Sequence, residues 1–287
     1  MIHKTVILSG KRNIRGCVML LGGFDGLHVG HRLLLARAKE YGLTVGVMSI
    51  VGGKDGRLFD FSERERIFKS AGIDFAVEFS FDEIKELSPK DFVEILEGRF
   101  APSVYVCGED FRFGKGAEGT AQSLAALTSA KVDVLPLLEL DGEKVSSSAI
   151  KRLLADGELE KANALLGVPF TLSGTVIRGK KLGRTIGFPT ANFIYPKGKF
   201  CLPHGVYKTQ VSVDGEKYFA ITNCGAQPTV NGTHVYVETH IAGFSGDLYG
   251  QYLTVCFLQK IREIRRFENV EELRKQLELD LESVKND

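Results

Sequence analysis

The sequence predicts two domains, an α/β domain built on a Rossmann-like parallel sheet followed by an antiparallel sheet or β-barrel with a terminal helix. In the first half, short apolar runs at residues 18–21, 43–47 and 104–106 alternate with helical patterns. In the second half, glycine-punctuated strands with alternating side chains follow one another. A chain of 287 residues also suggests about two domains. We place the boundary at the Gly-Val-Pro that ends an apolar stretch, which gives domains of residues 1–167 and 168–287.

Each predicted element of the first half follows from its periodicity. Helices are predicted at residues 32–41, 62–71, 89–96 and 147–155. The first ends before Gly42 and the last before Gly157, and glycine is a common residue just past a helix end. Because helices between parallel strands cover both faces of a sheet, we expect ligands at the carboxyl ends of the strands.

The second half reads as an antiparallel sheet. Strands are predicted at residues 170–177, 205–213, 217–222, 234–241 and 253–258. Asp214 and Gly215 predict a hairpin turn, because both residue types tolerate positive φ. The terminal helix is predicted from apolar residues at helical spacing, namely Val270, Leu273, Leu277 and Leu281.

Composition limits the partners. The 37 basic and 36 acidic side chains leave a net charge of +1, so we expect the chain to bind neither nucleic acid nor a membrane surface. The five cysteines are an odd number without a C-x-x-C spacing, which argues against disulfides and a zinc knuckle. No leader-like segment and no apolar run of roughly 20 residues is present. We expect a cytoplasmic monomer or weak homo-oligomer that binds small molecules.

The first candidate site is the glycine-rich stretch at residues 22–31, GGFDGLHVGH, which joins a strand to a helix. Helix N-termini present unpaired N–H groups to anions, and glycines let a triphosphate approach the backbone. His28 and His31 can donate to phosphate oxygens as charge shifts toward the leaving pyrophosphate. Two alternatives are a plain glycine-rich turn and a two-histidine metal site, although the latter lacks a third ligand at helical spacing.

The string G-x-F-D-G-x-H-x-G-H resembles the FMN adenylyltransferase branch of the nucleotidyltransferase superfamily. The resemblance implies an enzyme that moves AMP from ATP onto FMN, with His28 and His31 as catalytic residues. It also implies ATP contacts by four further residues of the same stretch, which are Gly23, Phe24, Asp25 and Gly30.

Residues 108–115, GEDFRFGK, follow a strand and resemble the family's G-x-[DN]-F-x-F-G segment. That likeness implies contacts of Asp110, Phe111 and Phe113 with nucleotide or flavin. Taken alone, the two aromatic residues are better explained as core side chains.

Residues 145–152, VSSSAIKR, resemble the family's S-S-[ST]-x-I-R segment, which opens a helix against the ATP phosphates. Serine hydroxyls can cap a helix start and donate to phosphate, with basic side chains one turn further on. A plain N-cap would explain one serine. The ATP-binding residues implied here are Ser146, Ser147, Ser148, Lys151 and Arg152.

The second candidate site is the loop at residues 174–192, GTVIRGKKLGRTIGFPTAN, which could close over a phosphate chain. A solvated basic loop is the alternative from residues alone. The string closely resembles riboflavin kinase, and the resemblance continues through residues 203–207, 223–229, 238–240 and 247–250.

By that resemblance, Gly183 and Arg184 contact ATP, and Thr190 and Asn192 hold Mg²⁺ together with ATP. Glu238 is then the base that takes the proton from the ribityl 5′-hydroxyl. A solvent-facing strand position is the alternative for this glutamate.

Both halves together resemble the bacterial bifunctional riboflavin kinase and FAD synthetase family, whose substrates and products are riboflavin, FMN, FAD and ATP. Three departures are visible: residues 48–55 lack the family's F-x-P-x-P, and Lys151 and Gln227 stand where the family has arginine. These departures leave open an alternative, a riboflavin kinase whose N-terminal domain only binds nucleotide or regulates.

Overall fold

The computed structural model describes residues 2–10, 13–52, 56–179, 182–229 and 232–285. It divides into two compact units, Met1–Ala149 and Ile150–Asp287. The boundary predicted between residues 167 and 168 stays a prediction. Residues 53–55 of the departing segment and Lys180 and Lys181 of the basic loop lie outside the described residues. Within those ranges, no helix has both the length and the apolar character that a bilayer crossing needs.

The first unit is an α/β structure. Its strands are β1 (Ile2–Ile7), β2 (Val18–Leu20), β3 (Val45–Val51), β4 (Phe75–Ser80), β5 (Val104–Gly108), β6 (Arg112–Phe113), β7 (Gly119–Thr120), β8 (Lys131–Leu135), β9 (Glu139–Leu140) and β10 (Glu143–Lys144). Its helices are α1 (Val29–Glu40), α2 (Phe61–Ser70), α3 (Phe81–Ile84), α4 (Pro89–Phe100) and α5 (Ala121–Leu127), with a 3-10 turn at Lys115–Ala117. Helix α6 (Ser147–Ala155) begins in this unit and runs past Ala149.

The main sheet has the strand order β1-β4-β3-β2-β5-β8. Strands β2, β3, β4, β5 and β8 are parallel, as predicted, and β1 adds an antiparallel edge that the sequence did not indicate. The chain moves outward from β2 to β3 and β4 and then returns to β5 on the other side of β2. This reversal creates a topological switch point between β2 and β5, where doubly wound sheets bind ligands.

Helices cover both faces of this sheet. Val18 and Leu20 pack with apolar side chains of α1 and α2 on one face. Met19 and Leu21 pack with those of α4 and α5 on the other face. Since both faces of β2 are buried, its sequence is a continuous apolar run rather than an alternating one.

The second unit is antiparallel. Its elements are α7 (Leu159–Leu166), β11 (Phe170–Thr175), α8 (Leu182–Thr185), β12 (Ala191–Ile194), β13 (Gly205–Val213), β14 (Glu216–Thr229), β15 (Gly232–Ile241), β16 (Tyr252–Arg262) and α9 (Val270–Lys285). The strand order is β11-β16-β13-β14-β15-β12. The two ends of the sheet meet just past β11, where the Ile177 N–H donates to the Asn192 carbonyl at 2.7 Å. The predicted antiparallel barrel is confirmed.

Two local features of the barrel follow from residue type. A Cβ at Gly174 would lie 2.6 Å from the Phe193 ring, so glycine is what lets these two strands approach. Asp214 and Gly215 have φ of 52° and 87°, which is the backbone predicted for the turn between β13 and β14.

The terminal helix α9 packs on the outside of the barrel. Leu281 and Val284 contact Val206 and Ile221 of the sheet. Val270 is half exposed, so the packed stripe of this helix excludes the first of its four predicted apolar positions.

An ion pair ties α9 to β16. The Arg262 guanidinium donates to both carboxylate oxygens of Asp280, with Nη2 to Oδ2 at 2.6 Å. Asp280 is only 2% exposed, so this pair fixes the helix at a desolvated position.

Candidate functional sites

The loop after β2 brings the two histidines together at the start of α1. His28 is the N-cap of the helix, and its Nδ1 accepts a hydrogen bond from the His31 N–H at 3.2 Å. The two imidazole rings stack with centroids 3.5 Å apart, and the Phe24 ring stacks on the other side of His31 at 4.1 Å. The three rings form a continuous stack, which we call the Phe24–His31–His28 stack.

The remainder of this loop packs against residues 58–59, which precede α2. Gly26 has a φ of 138°, and a Cβ there would lie 2.4 Å from the Phe59 ring, so only glycine fits. The Asp25 carboxylate accepts from the Leu58 N–H at 2.9 Å. Asp25, predicted to contact ATP, therefore ties the loop to the segment before α2 and does not line the cleft described below.

Both imidazoles are neutral at pH 7. Burial lowers the pKa of His28 to about 4. Burial, followed by the neighbouring His28, lowers the pKa of His31 well below its usual value. The His31 Nδ1 donates to the Gly26 carbonyl at 3.0 Å. A neutral imidazole carries one proton, so His31 carries it on Nδ1, whereas His28, whose Nδ1 is an acceptor, carries it on Nε2.

A cleft of about 330 Å³ lies at the carboxyl ends of β2 and β5. We call it the switch-point cleft. It is lined by nine of the residues predicted from the sequence, namely Gly23, Phe24, His28, Gly30, His31, Asp110, Phe111, Ser146 and Ser147. Both histidines are 8% exposed, so they are buried yet face this cleft.

The other predicted residues of this unit lie elsewhere. Phe113 is buried in the core, where it stacks on Phe111 with centroids 5.5 Å apart. Ser148 is exposed outside the lining. The Ser146 hydroxyl accepts from the Ala149 N–H at 3.1 Å, which is the N-cap that the sequence also allowed.

Lys151 and Arg152 lie on the part of α6 beyond Ala149. Arg152 forms a loose ion pair with Asp156 at 3.9 Å. Their predicted contacts with ATP phosphates stay predictions.

Sequence reasoning missed some of the lining. Ile50, Arg112, Leu137 and Val145 all face the switch-point cleft. Leu137 lies in the connection between β8 and β9, and nothing in its sequence indicates a ligand. The position of Ile50 at the end of β3 was a usable signal, because carboxyl ends of parallel strands meet at one edge.

Two clefts open on the barrel of the second unit. The smaller cleft, of about 190 Å³, includes Arg184, Thr190, Asn192 and Asp247 in its lining. The helix-side cleft, of about 390 Å³, reaches Leu273 and Leu277 of α9. Besides Thr190 and Asn192, this cleft includes the predicted residues Gly183 and Glu238. It also includes His240, which belongs to the same motif as Glu238. Thr190 and Asn192 line both clefts.

Asn192 has the features of a Mg²⁺ ligand. Its side chain is buried, and its Oδ1 has no hydrogen-bond partner among the described residues. A Cβ at Gly179 would lie 2.3 Å from its Nδ2, so this glycine leaves the space that the amide occupies. Mg²⁺ prefers oxygen ligands and is commonly held by one or two protein groups plus phosphates and water. The Asn192 amide and the Thr190 hydroxyl fit that preference. No cluster of three or more His, Cys, Asp or Glu suited to a metal occurs in the described ranges.

Strand register places the predicted base between two amides. Glu238 on β15 lies opposite Asn192 on β12 and opposite Asn223 on β14. The Asn223 Nδ2 donates to the Glu238 Oε2 at 3.1 Å. Directly opposed residues share a face of a sheet, so the three side chains form one row. Sequence reasoning quoted Asn223 within a motif but gave it no role.

The loop that carries Gly183 and Thr190 is braced at both ends. The Phe188 N–H donates to the Gly183 carbonyl at 2.8 Å, and a Cβ at Gly183 would meet the Phe188 carbonyl at 2.2 Å. The His240 Nδ1 donates to the Pro189 carbonyl at 2.9 Å. These contacts fix the backbone that presents Thr190 to both clefts.

Comparisons with known proteins assign a family to each half. A family model for FAD synthetase matches residues 10–149, and one for riboflavin kinase matches residues 166–287. A protein of Pseudomonas fluorescens described as "Bifunctional riboflavin kinase/FMN adenylyltransferase" is 34% identical over 97% of this chain and 96% of its own length. A protein of Escherichia coli K12 with the same description is 35% identical over 92% of this chain and 90% of its own length.

A solved structure from Streptococcus pneumoniae is similar over nearly the whole chain, with a TM-score of 0.87 and 29% identity. The alignment covers 98% of this chain and 97% of that one. That protein is described as a macrolide-efflux protein, which disagrees with the two family models. The family models and the curated relatives agree with each other over both halves, so they carry the functional argument.

Proposed function

The chain belongs to the family of bifunctional riboflavin kinase/FMN adenylyltransferases, and from this membership we propose how its own residues carry out the two reactions. The enzyme phosphorylates riboflavin to FMN and transfers AMP to FMN to give FAD, with ATP as the donor in both steps and Mg²⁺ as the typical metal. The residue roles below are proposals.

For the kinase, one observation carries the assignment: Thr190 and Asn192 line both barrel clefts. A phosphoryl-transfer site must hold ATP and the attacking hydroxyl on two sides of the transferred phosphoryl group. ATP would occupy the smaller cleft, with Arg184 beside its phosphates, and riboflavin would occupy the helix-side cleft. Thr190 and Asn192 would hold Mg²⁺, which would offset the negative charge of the ATP phosphates.

Glu238 is the residue that we propose as the general base. It lies in the helix-side cleft, in the same row as Asn192. Its carboxylate would accept the proton of the ribityl 5′-hydroxyl as the hydroxyl oxygen attacks the γ-phosphorus and ADP leaves. The hydrogen bond from Asn223 leaves one carboxylate oxygen, Oε1, to face the substrate.

For the adenylyltransferase, the Phe24–His31–His28 stack supports a phosphate site. A phosphate oxygen of FMN would attack the α-phosphorus of ATP, and pyrophosphate would leave without a covalent enzyme intermediate. The His28 Nε2–H can donate to a phosphate oxygen in the neutral form. His31 can donate from Nε2 only as an imidazolium, a form that the negative charge of bound ATP favours. The two histidines would therefore act differently, and not as equivalent donors.

Asp110 and Phe111 line the same cleft, and Lys144 pairs with Asp110 at 2.7 Å. Phe111 would contact the nucleotide or flavin from the lining of this cleft. The first-turn N–H groups near Gly30, together with Ser146 and Ser147, would contact the phosphates.

A single experiment tests the two activities. The purified chain is incubated with riboflavin and Mg-ATP, and FMN and FAD are separated by chromatography. We expect FMN first and then FAD. FMN without FAD would favour the alternative of a kinase with a nucleotide-binding or regulatory N-terminal domain, and the absence of both products would contradict the proposed function.

We also propose that the chain works in the cytoplasm as a monomer or weak homo-oligomer without a nucleic-acid partner. The near-zero net charge of +1 supports this, because no long-range field attracts polyanions. Size-exclusion chromatography with light scattering checks the oligomeric state, and a stable higher assembly would contradict it.

A further inference from the structure

A buried ion pair is linked through Ser49 to Phe24, a residue that lines the switch-point cleft. The Arg64 Nη2 donates to the Glu78 Oε1 at 2.5 Å, and their side chains are 2% and 7% exposed. Burial lowers the pKa of Arg64, and the carboxylates of Glu78 and then Asp25 oppose that shift, while Arg57 adds to it. Desolvated charges of this kind cost free energy to bury, so a buried pair is weak evidence for a purely stabilising role.

The second contact of Arg64 points toward the cleft. Its Nη1 donates to the Ser49 hydroxyl, and that hydroxyl donates in turn to the Phe24 carbonyl at 3.3 Å. The next residue of β3 contributes as well, since the Ile50 N–H donates to the Gly23 carbonyl at 3.0 Å. Two consecutive residues of β3 therefore hold two consecutive carbonyls of the loop.

Phe24 needs such support. Its φ is 39°, in the left-handed region that a non-glycine residue occupies at a cost and keeps only when its surroundings enforce it. Its ring is the outer member of the stack on His31. A change of this backbone conformation would move the ring, and His31 would lose the stacking partner on one of its two faces.

We propose that Arg64, with Glu78 and Ser49, is a positioning residue for adenylyl transfer that acts through the Phe24 backbone on the histidine stack. This inference rests on the proposed adenylyltransferase function. Glu78 sets the orientation of the guanidinium, Arg64 orients the Ser49 hydroxyl, and Ser49 holds the Phe24 carbonyl. None of the three side chains needs to touch a substrate.

The test separates positioning from simple stability. Ser49→Ala removes the link and leaves the ion pair. The double variant Arg64→Met with Glu78→Leu removes the link and both charges together, which avoids an unpaired buried charge. Thr128→Ala is the matched control, because it removes a hydroxyl that donates to Glu97 in the same unit, away from the cleft.

In both test variants we expect kcat for FAD formation from supplied FMN to fall about 10-fold or more, as misplaced reacting groups do, with KM for ATP within about twofold. Riboflavin phosphorylation by the same chain and the thermal midpoint of the double variant should be unchanged, as should all rates of Thr128→Ala. If the double variant keeps the wild-type kcat, or if loss of rate only follows loss of thermal stability, the inference is wrong. If the wild type makes no FAD, the proposed function fails first.

Discussion

At the residue scale, the two histidines of one motif differ in what they can do. His28 keeps its Nε2 proton because Nδ1 accepts from the helix, whereas His31 keeps its Nδ1 proton because Gly26 accepts it. Sequence reasoning treated both as equal phosphate donors. The distinction depends on a helix-cap geometry and a carbonyl position that motif spacing does not encode.

The buried state of His28 predicts acid sensitivity. Its pKa is lowered to about 4, so the unfolded chain binds a proton that the folded chain does not between pH 6.5 and 4. The stability contribution is complete above pH 6.5 and is lost as the pH falls toward 4, by about 3 kcal/mol for this residue. Urea unfolding of wild type and His28→Gln at several pH values measures it. The free energies of unfolding should converge with acidification, and parallel profiles would contradict this prediction.

The space next to Asn192 predicts a metal effect. In Gly179→Ala the new Cβ would lie 2.3 Å from the Asn192 Nδ2, so the amide must move. We expect the Mg²⁺ concentration for half-maximal FMN formation to rise roughly 10-fold, as for other disturbed ligand shells. FAD formation from supplied FMN should be unchanged. Gly98→Ala, whose Cβ meets no atom within 4 Å, is the control. An unchanged Mg²⁺ dependence would remove Asn192 from the metal site.

At the scale of elements, strand register assembles the proposed kinase site. The row of Asn192, Glu238 and Asn223 depends on which residues of β12, β14 and β15 face one another. Motif likeness identified the first two, but Asn223 was missed because the strand predicted from alternation ended at residue 222, one residue too early to include it. Strand β14 also extends to Thr229, beyond the six residues predicted from alternation.

Helix α9 gives an element-scale prediction. Asp280→Ala leaves Arg262 without the carboxylate that holds the helix, and breaking one side of a buried pair typically costs about 3 to 5 kcal/mol. Urea unfolding should show this loss, together with a higher KM for riboflavin, because Leu273 and Leu277 line the helix-side cleft. Arg274→Ala, which breaks the exposed pair with Glu278, is the matched control and should change little. Equal effects of both variants would mean that helix docking does not depend on Asp280.

At the scale of the whole molecule, the fold class and the two activities were predictable from the sequence, because both depend on patterns that lie within short segments. The alternation of apolar runs and helices identified the parallel sheet, and the motifs identified the family. The antiparallel edge strand β1 was not predictable, since its pairing with β4 joins segments that no short pattern connects.

Separate sites predict complementation. His31→Ala should lower FAD formation roughly 10²-fold, the loss typical of one transition-state donor, and leave FMN formation intact. Glu238→Gln should abolish FMN formation and leave FAD formation from supplied FMN. Alone, His31→Ala should convert riboflavin to FAD only slowly and Glu238→Gln not at all, but a mixture of both should restore the conversion through FMN released into solution. A mixture that accumulates FMN without FAD would contradict free exchange of the intermediate.

Thr190 and Asn192 form a partition common to the two barrel clefts. With ATP and riboflavin bound as proposed, a substitution of Thr190 or Asn192 would change the affinity for both ligands. Sequence variation in the kinase is therefore expected at residues that line only one of the two clefts. Substitutions that weaken the binding of an inhibitor spanning both clefts would therefore also impair the kinase more than substitutions against an inhibitor confined to one cleft.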